Sequence, residues 1–252
     1  MSPAFHLADA SVLQLALVCV VAFFAAVLGG LAGYGTSLIL PVFLAPLVGV
    51  ANVIPVMAVA MLLNNASRVA AFWHDVQWPH VRQLLVLGLP ACVAGAWAYT
   101  LLSSEWIGYL LGAFLLASVP LRKILARAKF RFSRVGEQCA GAGFGFIDGG
   151  MTGTGVILIS ILISAGVQGA ALIATDALVS AALGLAKIVL FSGLAALNPD
   201  LAAAGLLIGV CTAPGAFVAR QLLNHIPART HAWVMEVIVI VGALALIWRA
   251  AR

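Results

Sequence analysis

The chain has 252 residues, 64% of them hydrophobic and 8% charged, with a formal net charge of +5 and a mean hydropathy of +1.15. A soluble domain carries about 25% charged residues, so too few charges are present here to cover a water-facing surface. In lipid the same length allows roughly eight spans of about 20 residues each, joined by short loops.

Residues 1–10 contain neither Lys nor Arg, so the basic start of a cleaved signal peptide is missing and the first apolar run, 12–32, is expected to stay as a helix. A short run follows at 36–48, carrying Pro41 and Pro46, and then come runs of span length at 53–72, 81–101 and 107–125. Six of the thirteen basic residues then crowd into one stretch: Arg122, Lys123, Arg127, Lys129, Arg131 and Arg134. Apolar spans flank it on both sides. It therefore reads as a cytoplasmic loop under the positive-inside rule rather than as the basic patch of a nucleic-acid-binding domain. The remaining runs are 138–165, interrupted by polar residues and glycines, then 170–191, 201–223 and 232–248. Only helices fit these runs, because lipid satisfies no free backbone group. The expected fold is an all-α polytopic membrane protein of about eight transmembrane helices in two homologous halves. These are a first repeat over 1–125, a basic loop over 126–137 and a second repeat over 138–252.

The repeat is visible in the glycines. Gly29-Gly30-Leu31-Ala32-Gly33-Tyr34-Gly35 aligns with Gly149-Gly150-Met151-Thr152-Gly153-Thr154-Gly155 at an offset of 120, and Gly49 with Gly169 and Gly95 with Gly215 follow at the same offset. Each half reads as a glycine-broken or re-entrant segment followed by three ordinary helices. Breaks at corresponding places in two halves are the best sequence-level pointer to a transporter site. The competing reading is duplication of a packing unit whose glycines serve only close helix contact. Whether the halves are parallel or inverted stays open, and with it the side on which Arg220, Arg229, Arg249 and Arg252 lie.

Gly141, Gly145, Gly149 and Gly153 recur every fourth residue. For Gly141 and Gly145 a small-residue packing groove is sufficient. It does not account for 149–155, where consecutive glycines each weaken a helix by about 1 kcal/mol. An unwound turn there, beside a new helix N-terminus, exposes N–H groups and attracts anions. Gly150, Gly153 and Gly155 would supply the backbone, with Thr152 and Thr154 adding hydroxyls. Gly33, Gly35, Thr36 and Ser37 repeat the arrangement in the first half, the last two placed to cap. Asp148, Asp176 and Lys187 are ionisable residues inside apolar runs, where each costs about 2.5–3.5 kcal/mol at a helix centre. Lys187 suits either an anion contact or snorkelling to the interface. Asp148 and Asp176 are candidates for proton coupling, with a capping or structural role open for Asp148. Asn64 and Asn65 lie mid-run and either join helices or line a path. Arg68, one turn from the next loop, either snorkels or meets the solute. Ser67 matches Lys187 at offset 120, so Arg68 and Lys187 come close to equivalent positions.

Trp73, Trp78, Trp106, Trp233 and Trp248 fall near span ends, as in an aromatic belt. The histidines are expected in loops or termini. Cys19, Cys92, Cys139 and Cys211 form no metal or redox spacing and read as buried small hydrophobes. No HExxH, Walker A or GxSxG pattern occurs, so an enzyme is not expected, nor is a cofactor or metal.

Two glycine-rich half-repeats, GGLAGYGTSLILP at 29–41 and GFIDGGMTGTG at 145–155, with a central basic loop, resemble the TauE/SafE sulfite exporter family, also called the 4-toluene sulfonate uptake permease family. The resemblance runs over essentially the whole chain. It implies a bacterial inner-membrane transporter of sulfur-containing or related organic anions such as sulfite and sulfonates; the residues themselves give only a small anion. The expected partners are that solute and the bilayer, with homodimer formation left open and no nucleic acid. An anion channel and a non-transporting membrane assembly factor are the alternatives.

Overall fold

A computed structural model describes residues 11–32, 35–127, 133–222, 237, 240–241 and 243–248. Nine helices account for most of them: α1 Val12–Ala32, α2 Gly35–Val48, α3 Val53–Ala71, α4 Trp78–Thr100, α5 Ser104–Arg127, α6 Arg134–Gly150, α7 Gly155–Ser164, α8 Gly169–Gly193 and α9 Pro199–Leu222. Residues 243–248 are helical as well, and no strand occurs among the described residues. By length and hydropathy, four helical stretches can cross a bilayer unaided: Val50–Ala71, Trp78–Thr100, Ser104–Leu121 and Gly169–Gly193. The chain is an all-α polytopic membrane protein, with α2 and α7 as short apolar helices.

Two boundaries differ from the sequence reading. The basic stretch is partly helical, since α5 runs on to Arg127 and α6 already begins at Arg134. Ser133 caps α6 by accepting the Gly136 N–H at 3.2 Å. The interrupted run 138–165 resolves into two separate helices, α6 and α7. Of the basic stretch itself, residues 128–132 lie outside the described residues, as does most of the expected last span, 232–248.

Small residues let the backbones close up. A Cβ at Gly141 would sit 2.6 Å from the Leu84 carbonyl oxygen, at Gly145 2.2 Å from that of Gly88, and at Gly149 2.2 Å from that of Cys92. One face of α6 is thus sealed on α4, and Gly95 answers from the other side with its Cβ position 2.0 Å from the Phe146 carbonyl oxygen. Gly149, expected at the break, belongs to this packing seam. The partners rise together along both chains, so α4 and α6 are parallel. Gly205 against Val56 and Val59, and Gly209 against Ala60 and Leu63, make α3 and α9 parallel by the same reasoning. In contrast, Arg68 meets Asp176 while Gly184 lies over Ala58, so α3 and α8 are antiparallel.

The core joins α1, α2, α3 and α5 through fully buried residues such as Leu40, Leu44, Ile54, Met57, Leu111 and Leu115. Tyr99 of α4 bonds the Ala51 carbonyl at 2.8 Å and packs edge-on against Phe191 of α8. Leu17, Phe24, Val86, Trp97, Val189 and Val210 face outward, as lipid contact requires. Trp73, Trp78, Trp106 and Trp248 are exposed near helix ends, matching the expected belt; Trp233 lies outside the described residues. Cys139 is exposed and Cys19 and Cys211 are half-buried, which corrects the uniform burial expected; of the four, Cys92 is fully enclosed. His80 sits in the first turn of α4 rather than in a loop, bonded to Glu137 of α6 at 2.7 Å.

Candidate functional site

The break between α6 and α7 is short and specific. Gly150 ends α6, Met151 turns extended at φ −133° and ψ 166°, and α7 restarts at Gly155 behind Thr154. Between them Gly153 has φ +85°, a conformation that glycine adopts without the cost a Cβ imposes. This turn rests on the start of α2. Thr152 donates its hydroxyl to the Ser37 carbonyl at 2.9 Å, and a Cβ on Gly153 would lie 2.2 Å from Leu38 Cδ2.

Two ion pairs flank this meeting point. Lys187 Nζ lies 2.8 Å from Asp148 Oδ2 and also donates to the Asp148 backbone carbonyl at 3.0 Å. Thr154 donates its hydroxyl to the other carboxylate oxygen of Asp148. Arg68 Nη2 lies 3.0 Å from Asp176 Oδ2, and Arg68 Nη1 donates to Asn65 Oδ1 at 3.3 Å. All four ionised side chains are at most 14% exposed. Neither Arg68 nor Lys187 snorkels: each ends on a buried carboxylate. Asp176 and Lys187 are eleven residues apart on α8, which separates the two pairs by about 16 Å along the helix.

Between the pairs is a cavity with about 110 Å³ open to water-sized groups. One wall is α3, through Met57, Met61, Asn64, Asn65 and Arg68; the opposite wall is α8, through Asp176, Ser180, Gly184 and Lys187. The start of α2, through Thr36 and Ser37, and the turn into α7, through Thr152, Gly153, Thr154 and Gly155, close the remaining side. Such a space holds several waters, or a small solute that replaces them. Its polar donors suit an anion, while its formal charge sums to zero with two cations and two carboxylates.

Most residues singled out from the sequence thus meet here. Gly150 does not: it faces α4, with Gly95 and Tyr99 nearest its Cβ position, because the helix unwinds only beyond it. Gly35 is the first residue of α2, and Gly33 lies outside the described residues. Thr36, expected as a cap, donates its hydroxyl back to the Ala25 carbonyl of α1 at 3.2 Å, and Ser37 offers its backbone carbonyl to Thr152. Asp148 does not cap α7 but holds Lys187 and Thr154. Ser180, Gly184, Met57 and Met61 escaped the sequence reading. Their signal is spacing: 176, 180, 184 and 187 share one face of α8, as 57, 61, 64 and 68 share one face of α3.

The family model described as sulfite exporter TauE/SafE matches residues 18–246, most of the chain. No curated protein and no solved structure matches.

Proposed function

Because the chain belongs to the sulfite exporter TauE/SafE family, a family of membrane transporters, we propose that it is a secondary transporter for a small sulfur-containing or organic anion of the sulfite or sulfonate class in the bacterial inner membrane. One observation carries this reading: the turn between α6 and α7, the start of α2 and the two largely buried cations Arg68 and Lys187 converge on one cavity in a chain otherwise fit for lipid. The amides of Asn64 and Asn65 and the backbone N–H groups of Gly153 and Gly155 offer the anion's oxygens hydrogen-bond donors, while the hydroxyls of Thr152 and Thr154 are already given to the Ser37 carbonyl and to Asp148. Asp148 pairs with Lys187, so a solute anion competes with a built-in carboxylate for the same ammonium group.

The basic stretch between α5 and α6 on the cytoplasmic side sets the orientation. The N-termini of α4 and α6 then both start inside, as their parallel packing requires. The antiparallel α3 and α8, which correspond at offset 120, support a reading of the two halves as inverted repeats, the arrangement in which transporter sites form at the repeat interface. This orientation also brings the C-terminal end of α9 inside, together with Arg220. The Arg68–Asp176 pair lies toward the cytoplasm and the Lys187–Asp148 pair nearer the outer face. Ion pairs lining the cavity on both sides, Arg68–Asp176 and Lys187–Asp148, favour a carrier over an open anion channel.

The test is a thermal-shift panel on purified protein with sulfite, sulfonates and carboxylates, followed by flux of the stabilising anions in proteoliposomes. A ligand that prefers the native state raises its apparent stability. Saturable uptake with counterflow is expected. Non-saturating flux would point to a channel, and stabilisation by none of the anions together with no flux refutes the transporter.

A further inference from the structure

We infer that the cavity takes up its anion together with one proton carried on Asp176, so that a monovalent anion crosses the membrane without net charge. This rests on the transporter reading above.

The argument begins with charge balance. The cavity holds Arg68, Lys187, Asp148 and Asp176, and each cation is already matched by one carboxylate. An entering anion makes this low-dielectric space net negative, and an uncompensated buried charge is strongly unfavourable. One proton restores neutrality. The two carboxylates differ in their ability to receive it. Asp148 has both oxygens committed, one to the Thr154 hydroxyl and one to Lys187, so a proton there displaces a donor. Asp176 uses Oδ2 on Arg68, but Oδ1 is buried with no hydrogen-bond partner among the described residues, and the residue is 2% exposed. Buried acceptors without partners are rare because the lost hydration is not returned. A proton on Oδ1 turns that unpartnered acceptor into a donor for an oxygen of the bound anion.

Other titratable groups lie on the elements around α8. Arg68 on α3 is the direct partner. The 3-10 turn Trp73–Asp75, which packs on α8, carries His74 and Asp75. On α4 are His80, Arg82, Cys92 and Tyr99, of which His80 is engaged by Glu137 of α6 and Tyr99 by the Ala51 carbonyl. Asp148 on α6 is held by Lys187, the other charged group of α8. Among these groups only Arg68, Lys187, Asp148 and Asp176 line the cavity. The step itself is a simple protonation: the Asp176 carboxylate accepts a proton from the side to which the cavity opens, becomes a neutral acid, and returns the proton to the opposite side as the anion leaves. Arg68, relieved of its matching charge, then faces the anion.

The experiment uses the full chain in proteoliposomes loaded with a pH-sensitive dye, with methanesulfonate as the solute because its single negative charge is fixed across working pH. An inward methanesulfonate gradient should acidify the lumen by one proton per anion, at a rate unchanged by clamping the membrane potential. The apparent affinity should rise by up to about tenfold per unit fall in pH. Asp176→Asn should abolish proton movement. Arg68→Gln combined with Asp176→Asn, which leaves no unmatched cation, should do the same if the single variant folds poorly. Uptake without acidification, or uptake driven by an interior-positive potential, overturns the coupling and leaves the transporter standing. One proton per anion in the Asn variants overturns the assignment to Asp176. No uptake of methanesulfonate or of any anion in the panel refutes the transporter and the coupling together.

Discussion

Replacing Lys187 by Met removes the cation 2.8 Å from Asp148 Oδ2 and leaves that carboxylate in a site where its side chain is 14% exposed. Breaking a buried pair from one side costs about 3–5 kcal/mol. The Thr154 hydroxyl still bonds the stranded carboxylate, which places the loss near the lower end, about 3 kcal/mol. Adding Asp148→Asn removes the unmatched charge, so the double variant should return to within about 1 kcal/mol of the parent in detergent unfolding, since paired charges and neutral replacements differ little. Binding should behave otherwise. If Lys187 contacts the solute, both variants lose a charge-assisted hydrogen bond worth about 1.5–3 kcal/mol, a ten- to hundredfold weaker anion affinity. Restored stability with unrestored affinity is the expected outcome of calorimetric titration on both proteins. A double variant that binds the anion as well as the parent would refute the role given to Lys187.

Gly153→Leu should leave membrane insertion intact yet reduce uptake at least tenfold: its φ of +85° adds about 1–2 kcal/mol of backbone cost, and the side chain must grow from a position 2.2 Å from Leu38. Normal uptake by this variant would show that the break is not on the path. Gly145→Leu should instead cost about 4 kcal/mol or more and lower the yield of folded protein, because its Cβ would meet the Gly88 carbonyl at 2.2 Å and neither backbone can yield; size-exclusion of the detergent-solubilised protein checks this. Tyr99→Phe should lower stability by about 1 kcal/mol through loss of the 2.8 Å bond to Ala51, with anion affinity unchanged in the same titration.

The sequence made some layers of this molecule readable and hid others. Apolar run lengths located α1, α3, α4, α8 and α9 to within a few residues, because lipid leaves no alternative to a helix of sufficient length. Consecutive glycines marked the break after Gly150, and the four-residue spacing of Gly141 and Gly145 marked the seam with α4. The choice of ionic partners was hidden: Asp176 is 108 positions from Arg68, and Asp148 is 39 from Lys187, distances that only the packing of helices closes. Without those partners Arg68 and Lys187 looked equally suited to snorkelling. Gly149 and Gly150 looked like part of the break because residue type alone does not separate a glycine that admits a neighbouring backbone from one that needs a positive φ. Ser180 and Gly184 are small residues in an apolar helix and gain meaning only once Asp176 and Lys187 define the face they share.

The most direct measurement is the position of a bound anion, read by anomalous scattering from crystals grown with 2-bromoethanesulfonate. The account predicts one bromine peak in the cavity between Lys187 and Arg68, with the sulfonate oxygens against Thr152 and the turn at Gly153. An empty cavity beneath an ordered anion elsewhere, or α6 running unbroken through 151–154 into α7, would contradict it.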